Sequence, residues 1–199
     1  MLIGLVGLIG SGKDTVAERL VTHHEYKRDS FAKSLKDAVS SMFNWDREML
    51  EGNTPESRKW REQPDKFWSE KMGKEITPRW VLQYFGTEVM RQGMYDAIWV
   101  DSVIGRYKGE KTVISDTRFQ NEIKTIKAYG GVIVLVKRSY IMPTREEMQK
   151  QGIHQSEWDW LGANFDYTID NTNSFEGLIA NTDQFIDQLQ DRQSSNQDV

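Results

Sequence analysis

Short apolar runs alternate with amphipathic stretches along most of the chain. Leu2–Val6 reads LIGLV, Lys111–Ser115 KTVIS, Gly131–Val136 GVIVLV and Asp166–Asp170 DYTID. Runs this short, rich in β-branched side chains and bounded by turn residues, predict buried parallel strands. Between them, KDTVAERLVTHH (Lys13–His24) puts Val16, Leu20 and His23 on one helical face. FQNEIKTIKAYGG (Phe119–Gly131) has a helical pattern with a glycine stop. Strand alternating with helix predicts an α/β fold with a mainly parallel sheet.

From Asp29 to Gly109 the pattern becomes helical and polar. SFAKSLKDAVSSMF (Ser30–Phe43) spaces Phe31, Leu35, Ala38, Val39 and Met42 as one helix face. Asn44–Pro78 follows, charged, tryptophan-bearing and holding three of the four prolines, and reads as an exposed excursion from the core. Whether it packs on its own core or on a second copy, giving a homodimer, is open. The terminal DRQSSNQDV is polar and reads as frayed.

Composition bounds the partners. The 199 residues suit one domain with room for a small inserted lobe, and 38% hydrophobic content suffices for a real core. A net charge of −4 offers no general basic field for nucleic acid or an anionic membrane. With no cysteine, disulfides and thiolate metal sites are excluded, which fits a reducing compartment. The first ten residues are too short an apolar run to span a bilayer, so a soluble cytoplasmic protein is expected.

The strongest chemical signal is GLIGSGKDT (Gly7–Thr15), directly after the first apolar run and at the start of the first amphipathic stretch. Gly10, Ser11, Gly12 and Lys13 match a phosphate-binding loop, in which backbone N–H groups and a helix N-terminus cradle phosphate oxygens. Asp14 stands where the pattern has a hydroxyl residue, and Thr15 follows. A carboxylate in the first helical turn gains about 0.3–1 kcal/mol from the helix dipole. At about 4 Å from a phosphate it would lose on the order of 4 kcal/mol at an effective dielectric of 20. Repulsion wins, so Asp14 must turn aside or have a cation between. Thr15 is expected to take the hydroxyl's role, with Asp14 facing magnesium through water or steadying a base or Arg118.

KTVISDTRFQNE (Lys111–Glu122) places Asp116 just past an apolar strand, with Arg118 two residues on and Glu122 in the next helix. An acid at such a strand end holds the metal in phosphate-loop enzymes, directly or through water; equally, it caps the following helix. TPRWVLQYFGTEVMR (Thr77–Arg91) opens with a capping threonine and a first-turn proline. Arg79, Gln83, Thr87 and Arg91 then recur every four residues as a polar stripe, with Val81, Phe85 and Val89 on another face. Gly86 costs about 1 kcal/mol relative to alanine, which makes sense if something flat approaches the backbone there. The plainer reading is an amphipathic helix with a solvated side. The three histidines form no metal cluster, and His154 with Glu157 reads as a local hydrogen-bonded pair.

Together GSGKDT, PRWVLQYFGTEVMR followed by DAIWVD, VISDTRFQNE and FDYTIDNTNSFEGL resemble the deoxynucleoside monophosphate kinases of tailed bacteriophages. The resemblance implies a single P-loop kinase domain over 1–199: a five-stranded parallel sheet flanked by helices, with a helical acceptor-binding insertion (30–109) and a lid (138–161). It implies that GKDT is the loop form this group uses. It gives Ser11, Lys13, Asp14 and Thr15 the donor phosphates of ATP and the Mg2+ ion, the latter with Asp116. Arg79, Gln83, Gly86, Thr87 and Trp99 would hold a deoxynucleoside monophosphate. Asp116, Arg118 and Glu122 would complete the catalytic centre, and Lys137, Arg138 or Arg145 would clamp phosphates from the lid. A host-cytoplasmic location follows if the source is viral. Two rivals stand beside this: a P-loop kinase of another phosphorylated small molecule, of dephospho-coenzyme A or phosphomevalonate type, and a nucleotide-dependent NTPase.

Overall fold

The computed structural model describes residues 1–195. The chain divides into two compact units, one formed by Met1–Ser30 with the chain from Arg106 onward, the other by Phe31–Gly105.

The first unit is built on a five-stranded parallel sheet of order β2-β3-β1-β4-β5, comprising β1 (Leu2–Val6), β2 (Lys27–Asp29), β3 (Thr112–Ile114), β4 (Val132–Lys137) and β5 (Tyr167–Asp170). Register is set at the centre, where Ile3, Gly4, Leu5 and Val6 pair with Val132, Ile133, Val134 and Leu135. Every residue of β1 is buried, which is why it carries no polar alternation. Helices α1 (Lys13–His24) and α10 (Phe175–Ser195) close one core through Val16, Ala17 and Leu20 against Phe185, Ile186 and Leu189, over Ile3, Leu5 and Val134. Helix α8 (Gln120–Ala128) packs on β1 and β4 with Ile123 and Ile126 buried. The short α9 (Arg145–Lys150) lies between β4 and β5 in the chain.

Four of the strands are those the apolar runs predict. The fifth, β2, reads Lys-Arg-Asp and has no apolar signature, because it is an edge strand with largely solvent-facing side chains. On α1 the buried set is Val16, Ala17 and Leu20, whereas His23 is exposed, so the predicted face is displaced there. His24, its neighbour, turns inward instead. Its Nε2 lies 2.7 Å from Asp183 Oδ1, and Arg19 donates to the same carboxylate through Nε and a terminal nitrogen at 2.8 and 2.7 Å.

That triad ties α1 to α10, and its carboxylate is sensitive to pH. The Arg19 fork, opposed by partial desolvation and reinforced by His24, holds Asp183 down to about 2. A depressed folded-state pKa means the stabilisation is complete above the ordinary carboxylate value and is lost as pH falls through about 2. Urea unfolding between about pH 5 and pH 2 is expected to show a decline that Asp183→Asn flattens. An identical slope in the variant would place the acid sensitivity elsewhere.

The second unit is helical: α2 (Ala32–Phe43), α3 (Arg47–Glu51), α4 (Pro55–Arg61), α5 (Lys66–Met72), α6 (Pro78–Tyr84), a π-helical segment (Phe85–Gln92) and α7 (Ile98–Arg106), whose last residue belongs to the first unit. Leu35 and Val39 are buried on α2 as their spacing predicts, but Met42 is 56% exposed. The tryptophan-bearing stretch is largely exposed, as its composition predicts, but it buries Trp45, Leu50 and Ile76 and gathers an aromatic cluster with the end of α2. Phe43 stacks on Trp45 at 4.6 Å between ring centres, and Trp60 and Trp68 pack edge-on or tilted around the pair. Their polar edges are satisfied, Trp45 Nε1 by Asp65 and Trp68 Nε1 by the Phe43 carbonyl. Each would otherwise cost about 1–3 kcal/mol. Among the described residues, no helix is long and apolar enough to cross a membrane.

Candidate active site

The loop from Gly7 to Gly12 joins β1 to α1 in the order a phosphate-binding loop requires. Gly10 and Gly12 have φ of +74° and +102°, in the region that favours glycine. At Gly12 space is short as well: a Cβ would lie 2.6 Å from Asn171 Nδ2. That amide donates to the Ser11 carbonyl at 2.8 Å, bracing the loop from the turn after β5. Sequence reasoning gave Asn171 no role; it lies 160 residues away in the chain.

The first N–H groups of α1 have no intrahelical acceptors, and Gly12 supplies no side-chain cap. Ser11 Oγ is buried without a hydrogen-bond partner among the described residues. A buried donor left unmade costs about 1–3 kcal/mol, so a loop of this kind fits an oxyanion that accepts from it. Lys13 Nζ donates to the Gly7 and Leu8 carbonyls at 2.8 and 2.9 Å. Burial, then the charge of Arg118, pulls Lys13 down to about 8, against the raising influence of Asp14, Glu157 and Asp116. Arg138, at the end of β4, donates to the Gly10 carbonyl at 3.0 Å. Arg145 is engaged elsewhere, with the carbonyls of Leu161 and Asp159.

Asp14 is 76% exposed and meets Arg28 of β2, where the sequence suggested Arg118. Thr15 is half-buried in the first turn of α1. Asp116, beyond β3, accepts from Ser30 Oγ at 2.7 Å. Arg118 NH1 donates to Glu157 Oε1 at 2.8 Å, with its side chain 41% exposed. Desolvation works against its charge, but Glu157, Asp116 and Glu122 outweigh it and raise the guanidinium above its ordinary value. Glu122 is 2% exposed, and its carboxylate accepts the N–H groups of Arg118 and Phe119 at 2.6 and 3.0 Å. It therefore fixes the backbone that presents Arg118.

Residues 138–161 are anchored at their far end. Trp160, Leu161 and Met148 are buried, while Tyr140 and Ile141 stand exposed. His154 Nδ1 lies 2.8 Å from Ser156 Oγ, and Glu157 meets Arg118. Among the described residues, no group of three or more His, Cys, Asp or Glu is placed to hold a metal by itself.

In the second unit Thr77 caps α6 by accepting from Trp80 N at 3.1 Å. The α-helix gives way to π-helix at Phe85, so the four-residue stripe does not stay on one solvated face. Arg79 and Gln83 are half-buried, but Thr87 and Arg91 are only 5% and 4% exposed, and Val89 is exposed rather than packed. Arg79 reaches Glu62 at 3.1 Å, and Arg91 donates to the Asp96 carbonyl at 2.8 Å. A Cβ on Gly86 would meet Leu35 Cδ2 at 2.8 Å, so glycine admits a close neighbour there. The flat group at its backbone is Trp99, buried, whose indole N–H donates to the Gly86 carbonyl at 2.9 Å.

No protein-family model matches the chain. A relative from Acanthamoeba polyphaga mimivirus, named "Putative deoxynucleotide monophosphate kinase", is 34% identical over 152 residues, covering 69% of this chain and 74% of the relative. Among solved structures, shikimate kinase from Aquifex aeolicus aligns over 90% of this chain and 92% of its own, at 13% identity and a TM-score of 0.47. Dephospho-CoA kinase from Campylobacter jejuni aligns over 94% and 96%, at 14% identity and a TM-score of 0.41. Both scores fall below 0.5, and nothing about activity follows from either. At 34% identity over more than two thirds of both chains, the viral relative does identify the lineage. The chain is a P-loop kinase and belongs to the deoxynucleotide monophosphate kinase family.

Proposed function

We propose that the protein transfers the terminal phosphoryl group of ATP to a deoxynucleoside monophosphate, giving ADP and the deoxynucleoside diphosphate. The observation that carries this is the phosphate loop with Lys13, Arg118, Arg138 and Asp116 grouped at the ends of β1, β3 and β4, in a chain with a relative of that name. The loop amides, Ser11 Oγ and Lys13 bind the donor's phosphates. Thr15 and Asp116 offer the hard oxygen donors that suit magnesium, which keeps most of its shell as water and phosphate and neutralises phosphate charge when bound. Asp14 adds at most a contact through water, since Arg28 already engages it.

The acceptor's phosphate is an oxyanion and needs no strong base, so catalysis rests on alignment and charge neutralisation. Arg118 supplies the charge that strengthens as the phosphoryl group moves. The inserted unit provides acceptor binding, with Arg79 and Gln83 as its side chains of partial exposure, while Gly86, Thr87 and Trp99 shape the backbone around them.

ADP formation measured with ATP, magnesium and a panel of acceptors tests this reading. At least one deoxynucleoside monophosphate is expected to raise ADP release well above the acceptor-free rate. Equal release without acceptor would favour an NTPase. Release only with a dephospho-coenzyme A or phosphomevalonate type acceptor would reassign the substrate.

A further inference from the structure

A carboxylate directly after the phosphate-loop lysine shares the field in which the donor's phosphates bind. Asp14 is close enough to Lys13 to raise its pKa against the effect of burial. An exposed carboxylate at that place repels the ligand unless something of opposite charge is held on it.

The group that meets it comes from β2, the strand with no apolar signature. A terminal nitrogen of Arg28 donates to Asp14 Oδ1. The same guanidinium donates through Nε and that terminal nitrogen to Ser115 Oγ, at 3.1 and 2.9 Å. Ser115 is buried and follows β3 immediately, beside Asp116. Asp116 in turn accepts from Ser30, two residues past Arg28. The end of β2 thus braces both acidic positions, one through Arg28 and the other through Ser30. A planar guanidinium fixed on a buried hydroxyl presents the second N–H of that terminal nitrogen in one direction, which an ammonium on a flexible stem does not do.

We propose that Arg28 is a positioning residue of the donor site. It neutralises Asp14 and holds that carboxylate turned toward β2, so that the phosphates of ATP enter without like-charge repulsion. The proposal rests on ATP binding at the phosphate loop and not on the identity of the acceptor.

A double-mutant cycle read by calorimetric titration of ATP into the full-length protein tests it, using wild type, Arg28→Ala, Asp14→Asn and the double variant. Arg28→Ala is expected to weaken ATP about tenfold or more when Asp14 is present, and less than about threefold in the Asp14→Asn background. The first penalty shrinks as salt rises, because the uncovered carboxylate is exposed and screened. Equal weakening in both backgrounds, or none in either, would overturn the role of Arg28 while leaving the donor site intact. A wild-type protein that binds no ATP would overturn the donor site and this proposal together. If Arg28→Ala fails to fold by thermal unfolding, Arg28→Gln runs the same cycle and is read by the same criterion.

Discussion

Replacing Lys13 by alanine is expected to lower phosphoryl transfer by about a thousandfold while leaving the fold intact. The Lys13 ammonium is held inside the loop by the Gly7 and Leu8 carbonyls, so its charge is in place before any ligand arrives. Preorganised charge of this kind acts without reorganisation during the reaction. It is also costly to maintain, since burial and Arg118 pull Lys13 down to about 8. Between about 8 and the ordinary 10.5 the folded protein binds fewer protons than the unfolded chain, so nucleotide-free stability rises with pH across that window. Below about 8 the cost of the buried charge is fully present. Phosphate oxygens favour the ammonium and raise its pKa. ATP binding near pH 9 is therefore expected to take up a proton, seen as calorimetric heats that differ between buffers of different ionisation enthalpy. Lys13→Ala removes that uptake. Uptake persisting in the variant would assign the proton to another group.

The phosphate loop was legible because its chemistry depends on fixed offsets within nine residues, from Gly7 to Thr15, and on a strand before and a helix after. The strands β1, β3, β4 and β5 were legible because burial demands apolar side chains, and β2 was not because an edge strand of Lys, Arg and Asp makes no such demand. That blind spot hid the partner of Asp14. Electrostatics required Asp14 to turn aside or to have a cation between, and magnesium through water, a nearby base and Arg118 were the partners in view; Arg28 belongs to the strand without a signature. The contacts of Asn171 with the loop and of Glu157 with Arg118 were unreadable for a related reason, since each joins residues far apart in the chain, and from the sequence Glu157 reads only as a local partner of His154. In the inserted unit the Thr77–Pro78 start was legible from cap chemistry. The switch to π-helix at Phe85 was not, since a four-residue stripe assumes uniform α-helix and so made Thr87 and Arg91 look solvated.

Arg118→Ala is expected to reduce kcat by about 10³–10⁵, the range found when an arginine is removed from a transferring phosphoryl group, with a much smaller change in ATP affinity. Three carboxylates define its state. Glu157 holds the guanidinium at 2.8 Å, Asp116 adds its charge, and Glu122 fixes the backbone N–H at 2.6 Å. The side chain is therefore charged and already oriented, yet 41% exposed and accessible to a ligand. Charge alone does not suffice, because the planar fork presents two parallel N–H groups in fixed geometry to two oxygens of one phosphoryl group, which a freely rotating ammonium does not. Arg118→Lys is accordingly expected to recover only a small part of the loss. Glu157→Gln tests the other side. It keeps a polar partner but removes the counter-charge, so the guanidinium is less firmly oriented and kcat falls, while KM for ATP and thermal stability stay near wild type. Single-turnover measurements separate the chemical step from product release. If they show Arg118→Ala within about tenfold of wild type in the chemical step, transition-state stabilisation must come from Lys13 and Arg138, and the Arg118–Glu157 pair becomes a structural tie between the strand end and residues 155–157.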